Sequence, residues 1–135
     1  MAMTIDSNPG VTGPYDTAAD YAGKEGLAAS LTGAAGDEII TLVTAGTGSD
    51  AVGVIASVTG NYTDGTMKAT LQLQGMCQLI LGATVSAGKG LTPGTGSKWV
   101  QVASDDYMNA ILLQGGVNGN VAKAVLTGTS NAVRA

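Results

Sequence analysis

Residues 67–81 alternate with a period of two: Met67, Ala69, Leu71, Leu73, Gly75, Cys77, Leu79 and Leu81 form one row, and Lys68, Thr70, Gln72 and Gln74 start the other. That period belongs to a half-buried β-strand, because successive side chains of an extended backbone point to opposite faces. A straight strand of this length would run roughly 50 Å at about 3.3 Å per residue, far more than strands usually do. The ribbon is therefore expected to bend or break at Gly75, where the side-chain row is interrupted. Past that glycine the second row becomes Met76, Gln78 and Ile80. This half is expected to be covered on both faces, by the rest of the domain or by another subunit.

The remaining chain repeats the β signature between glycine-rich turns. Residues 37–44 hold the β-branched run Ile39-Ile40-Thr41-Leu42-Val43, bounded by Gly36 and Gly46, and read as a buried strand. Residues 51–58 form a second, and the Asp64-Gly65 turn pair folds them back antiparallel onto 67–73, since glycine takes positive φ without steric cost. Short strands are expected over 99–103 and 109–114, with Asp105-Asp106 as the turn between them, and over 121–126. Residues 23–36 carry Leu27 and Leu31 as their large apolar anchors and suit a short strand or an irregular segment. Residues 16–22 suit one or two helical turns, but no stretch supports a helix of ten residues. The expected fold is all-β, a sandwich or barrel, made of an extended N-terminal arm (1–22, with Pro9 and Pro14), a single β domain (23–128) and a polar tail (129–135). Lys68-Ala69-Thr70-Leu71 and Lys123-Ala124-Val125-Leu126 give the two hairpins a weak echo, which chance explains better than duplication in so alanine-rich a chain.

With 135 residues the chain has the size of one domain. A net charge of -4, with six scattered basic residues, argues against nucleic acid, whose phosphates need a clustered basic face. Only 12% of residues are charged, so the surface is expected to be covered by small neutral polar groups, as on proteins held in assemblies. Phe is absent. A core of Val, Leu, Ile, Ala and Met offers little area per residue, which favours dependence on partner subunits. There is no apolar run of membrane-spanning length, and the opening residues lack the basic and apolar blocks of a signal peptide. Synthesis and residence in a cytoplasm are expected. One cysteine excludes an internal disulfide, and Cys77, on the apolar row, is expected to be a buried, inert thiol.

Catalytic constellations are hard to assemble from these residues. Without histidine there is no Ser-His-Asp triad, no Cys-His pair and no imidazole metal site. Gly23-Lys24 is followed by Glu25 and Gly88-Lys89 by Gly90, so neither is a phosphate-cradling loop. Gly46-Thr47-Gly48, Gly88-Lys89-Gly90 and Gly94-Thr95-Gly96 all fail the dinucleotide pattern. Asp37-Glu38 and Asp105-Asp106 are adjacent pairs whose side chains diverge on a strand or face water on a turn, and are expected to be solvated. Asn61-Tyr62-Thr63 matches a glycosylation triplet but reads as a turn. Trp99, the only tryptophan, is expected to anchor either the core or a subunit interface. The expectation is a protein that is not an enzyme, with no cofactor, metal or small-molecule substrate.

The proline-containing arm, the run Ala51-Val52-Gly53-Val54-Ile55-Ala56, the strand Ala69-Thr70-Leu71-Gln72-Leu73-Gln74-Gly75 and the stretch Val85-Ser86-Ala87-Gly88-Lys89-Gly90-Leu91-Thr92 together resemble the small decoration or cement proteins that coat the heads of tailed bacteriophages. The resemblance is loose and spans residues 26–128. It implies a small β-barrel or tulip-like fold, a homotrimer on the outer capsid surface of the virion, and a mechanical role bridging neighbouring major capsid proteins. It also implies an arm that adds to the capsid protein by strand augmentation, here Met3, Thr4, Ile5, Pro9, Val11, Pro14 and Tyr15. Met76, Ile80 and Trp99 are the residues expected between subunits. Two other readings stand beside it: a head-fibre or tail-associated β protein, and a small carbohydrate- or ligand-binding module using Trp99, Tyr107 and the Asp105-Asp106 turn.

Overall fold

A computed structural model describes residues 10–44, 52–103 and 108–127 of the protein. The long ribbon breaks where glycine interrupts it. Strand β5 (Lys68–Gln72) ends three residues before Gly75, which takes φ +85° and opens strand β6 (Gly75–Ile80). The two halves then serve different sheets. β5 belongs to a closed barrel in the order β1-β3-β2-β4-β5, with β1 (Val11–Thr17), β2 (Ala28–Thr32), β3 (Ile39–Leu42) and β4 (Val52–Thr59). β6 is the edge of a five-stranded sheet in the order β6-β10-β9-β7-β8, with β7 (Gly90–Pro93), β8 (Trp99–Gln101), β9 (Ala110–Leu112) and β10 (Val121–Leu126). The all-β expectation, barrel included, is met.

The expected hairpin forms: β4 and β5 pair antiparallel, with Ile55 opposite Leu71 and Thr59 opposite Lys68. Its connection is a short 3₁₀ turn at Tyr62–Asp64, where Asn61 Oδ1 accepts the N–H of Thr63 and Gly65 closes the turn at φ +77°. Residues 109–126 likewise give an antiparallel pair, β9 with β10.

Strand parity creates two cores. Val52 and Val54 of β4, with Ala28 of β2, pack against Leu79, Leu81, Leu91, Trp99 and Leu112 of the second sheet. Ile55 and Ala29, one residue out of phase, point into the barrel with Tyr21, Ile40, Met67, Ala69 and Leu71. Strands β2 and β4 are thus walls shared by both cores, which is why residues 52–55 are all buried. Gly53 has to be glycine there. A Cβ would stand 2.1 Å from the carbonyl oxygen of Gln72.

Two sequence-based expectations are corrected. The arm does not extend to residue 22: β1 pairs antiparallel with β5 and parallel with β3, and so closes the barrel. Val11, Pro14 and Tyr15 are therefore barrel residues. The register shifts between Thr12 and Tyr15, and this bulge takes Pro14, which has no N–H to donate, out of the ladder. Asp16 and Thr17 continue the strand in place of a helical turn. Tyr21 plugs the barrel, its backbone N–H reaching Met67 Sδ at 3.3 Å and its hydroxyl accepting the N–H of Leu42 at 3.1 Å. The second correction concerns Trp99. It is fully buried within one chain, in the core between barrel and sheet, so no surface of it is left to anchor a subunit interface.

Candidate docking groove

One left-handed residue controls the space between barrel and sheet. Gly26, at φ +88°, donates its N–H to the carbonyl of Ile55 on β4 (2.9 Å) and accepts the N–H of Ile80 on β6 (3.1 Å). Beyond this bridge the two strands diverge. An open groove with a cavity volume of about 510 Å³ lies between them. Buried Val54, Ile55 and Cys77 line its inner part, half-buried Ile80 and the exposed Met76 and Val121 line its outer part, and Glu25, Gln72, Gln78 and Lys123 supply polar groups.

The backbone of β6 faces this groove as well. In an antiparallel ladder alternate residues aim their N–H and C=O at the same edge. Ile80 aims its N–H away from β10 towards Gly26, so Gln78 and Met76 share that edge. The carbonyl of Lys123, opposite Gln78, is taken from the other side by the N–H groups of Leu113 and Gln114. Met76 O already accepts Gln72 Nε2 at 2.6 Å. The peptide groups of Gln78 thus present strand edge to the groove.

Met76, with 67% of its surface exposed, and Val121, with 61%, stand on the outer face of the second sheet. Leu113 and Val117, in the loop between β9 and β10, are also exposed, and among the described residues Tyr62 is the exposed large apolar residue of the barrel half. Charge is divided as well. Among the described residues every acid (Asp16, Asp20, Glu25, Asp37, Glu38, Asp64) belongs to the barrel half, while the second sheet and its loops carry Lys89, Lys98 and Lys123. Met76, Leu113, Val117 and Val121 thus give the sheet side an exposed apolar surface, which marks an interaction face and not a solvated one.

Of the residues expected between subunits, the structure brings Met76 and Ile80 together at this groove and places Trp99 elsewhere. Met76 and Gln78 are exposed, so among the described residues nothing covers these two positions of the outer row of β6. Met3, Thr4, Ile5 and Pro9 lie outside the described residues, as do Asp105, Asp106, Tyr107 and the tail over 129–135. Sequence reasoning found β10 but missed that Val121 and Lys123 line the groove. The signal was their alternation with Ala122 and Ala124, which puts them on the row opposite the core. Glu25 and Gln72 carry no comparable local mark.

Reactive chemistry is thin here. Burial pushes the Cys77 thiol up to about 11, which keeps it protonated and weakly nucleophilic at neutral pH. Among the described residues no group of three His, Cys, Asp or Glu stands close enough to hold a metal. The Glu38 carboxyl is held below its ordinary range by backbone N–H groups, its own first and then that of Gly36, so it anchors a turn.

No protein-family model matches the chain, and no curated protein sequence does. The fold is similar to a solved structure, the N base of the head fibre gp8.5 of bacteriophage phi29. The TM-score is 0.63 at 11% sequence identity, with 93% of this chain and 99% of that chain covered. At that identity the likeness establishes a shared fold.

Proposed function

We propose that this protein is a non-enzymatic structural component of a tailed-phage virion, attached to the outer surface of the head. The observation that carries the reading is the fold it shares with the head-fibre base of phi29 along nearly the whole of both chains. A likeness of that extent concerns the complete domain, not a common β motif within it. The exposed apolar residues of the sheet side, Met76, Leu113, Val117 and Val121, support it, since a protein held in an assembly needs one such face. The same reading makes the molecule a homotrimer bound to the major capsid protein. The proposed shell contacts come from the residues before Gly10, Met3, Thr4, Ile5 and Pro9 among them.

Within this reading the protein serves as the base of a head fibre or as a cement that bridges capsid proteins. Fold likeness to a fibre base favours the first, and the small neutral surface composition suits the second. The test is to add purified protein to heads that lack it, count bound copies by electron microscopy, and heat the decorated and bare shells. Failure to bind heads would overturn the virion reading. Binding that raises the shell's melting temperature identifies cement; binding that leaves it unchanged identifies a base.

A further inference from the structure

We infer that Asn118 is a spontaneous deamidation site that the fold holds shut. Asn118-Gly119 is the single Asn-Gly pair of the chain. Asparagine is thermolabile, and most so before glycine, which has no Cβ to hinder attack by its own backbone nitrogen on the Asn Cγ. The new N–Cγ bond closes a succinimide ring, the Cγ–Nδ2 bond breaks, and the glycine N–H proton leaves with the amide nitrogen as ammonia. Water then opens the ring to aspartate or isoaspartate. Both residues are exposed in the loop between β9 and β10, and the Asn118 side chain has no hydrogen-bond partner among the described residues. The side-chain half of the reaction is therefore unhindered.

The backbone half is locked. The carbonyl of Val117 accepts the N–H of Asn120 at 3.0 Å, closing a turn in which Gly119 takes φ +89° and Asn118 keeps a negative φ. That combination is a type II turn, which sets ψ of Asn118 to about +120°. At this angle the Asn118 side chain and the Gly119 nitrogen lie on different sides of the Cα–C bond, whereas ring closure needs them eclipsed. The nitrogen is also engaged: its N–H, whose proton has to leave before attack, donates to the carbonyl of Leu81 at 2.8 Å. Leu81 is fully buried, bridges Trp99, and returns its own N–H to the carbonyl of Asn120 at 2.9 Å. Asn120 Oδ1 in turn accepts the N–H of Val117 at 2.9 Å, tying the two ends of the turn together. Reaction thus waits until the turn lifts off the end of β6, a local opening of the second sheet. The product does not close again as before, because isoaspartate inserts a methylene carbon into the backbone of a turn whose ends these bonds fix. Deamidation of Asn118 is therefore a permanent mark of molecules whose second sheet has opened, whatever the fate of the virion reading.

Two measurements test it. The full chain and a synthetic peptide of residues 114–122 are held in the same mildly alkaline buffer, and conversion of Asn118 is followed by peptide mass spectrometry. The folded chain should react at least about tenfold more slowly than the peptide, since it waits on a local opening; equal rates overturn the inference. The second measurement repeats the incubation with Asn120→Ala, which removes the side-chain tie across the turn. Conversion of Asn118 should then run several-fold faster than in the folded parent, and an unchanged rate overturns the assignment of the lock to this turn.

Discussion

The backbone N–H of Ile80 ends on the carbonyl of Gly26 at 3.1 Å, fastening the edge of the second sheet to a residue that is itself bonded to the barrel wall. Gly26 holds φ +88°, and a Cβ there would stand 3.0 Å from Ile80 Cγ1. Gly26→Ala should therefore cost about 1–3 kcal/mol through left-handed strain, plus whatever Ile80 loses in shifting aside. A urea titration reads this as a lower midpoint with an unchanged slope. A midpoint equal to the parent's would show that the bridge can relax freely.

Trp99 is completely buried, yet its indole Nε1 has no hydrogen-bond partner among the described residues. Two substitutions that both delete the indole N–H differ in how much packing they keep. Trp99→Ala opens a large cavity and should cost about 3–5 kcal/mol. Trp99→Phe keeps a ring while deleting a donor whose burial costs about 1–3 kcal/mol, so its loss should be clearly smaller. Chemical denaturation of both variants checks this. Both variants delete the indole N–H, so equal losses would mean that the Phe ring recovers none of the packing.

Cys77 makes stability depend on alkaline pH. Burial raises its folded-state pKa from an ordinary 9.0 to about 11, so between these values the unfolded chain gives up a proton that the folded chain keeps. Its contribution is whole below pH 9 and is lost as pH rises towards 11, by at most about 2–3 kcal/mol. The readout is the difference between the parent and Cys77→Ala. The parent should lose more stability than the variant between pH 8.5 and pH 11, and parallel curves would contradict the burial of the thiol. At pH 8 the folded thiol should react with iodoacetamide roughly 100-fold more slowly than an unfolded one, in proportion to its thiolate fraction.

Much of the fold was legible because its signals are local. The break at Gly75, the β4–β5 hairpin around Asp64-Gly65 and the strands at β3 and β10 all follow from side-chain alternation and turn chemistry within a few residues. β1 was not legible. Gly13 and Pro14 inside it look like breakers, and only its two partners, β5 and β3, explain how a bulge absorbs them. Trp99 was ambiguous for a related reason. A large apolar residue at the start of a strand suits a core or an interface equally, and the barrel wall opposite decides between them.

By itself the sequence determined an all-β chain, its main strands, the glycine that splits its longest ribbon, and a poor inventory for catalysis. These follow from period, propensity and residue chemistry, which act over neighbouring positions. Only the tertiary structure decided which strands close the barrel, which wall is shared by two cores, and that Met76, Ile80, Val121 and Lys123 meet in one groove. Those residues are brought together by the pairing of β6 with β10 and by the bridge through Gly26. Such contacts join positions tens of residues apart, and no local pattern specifies them.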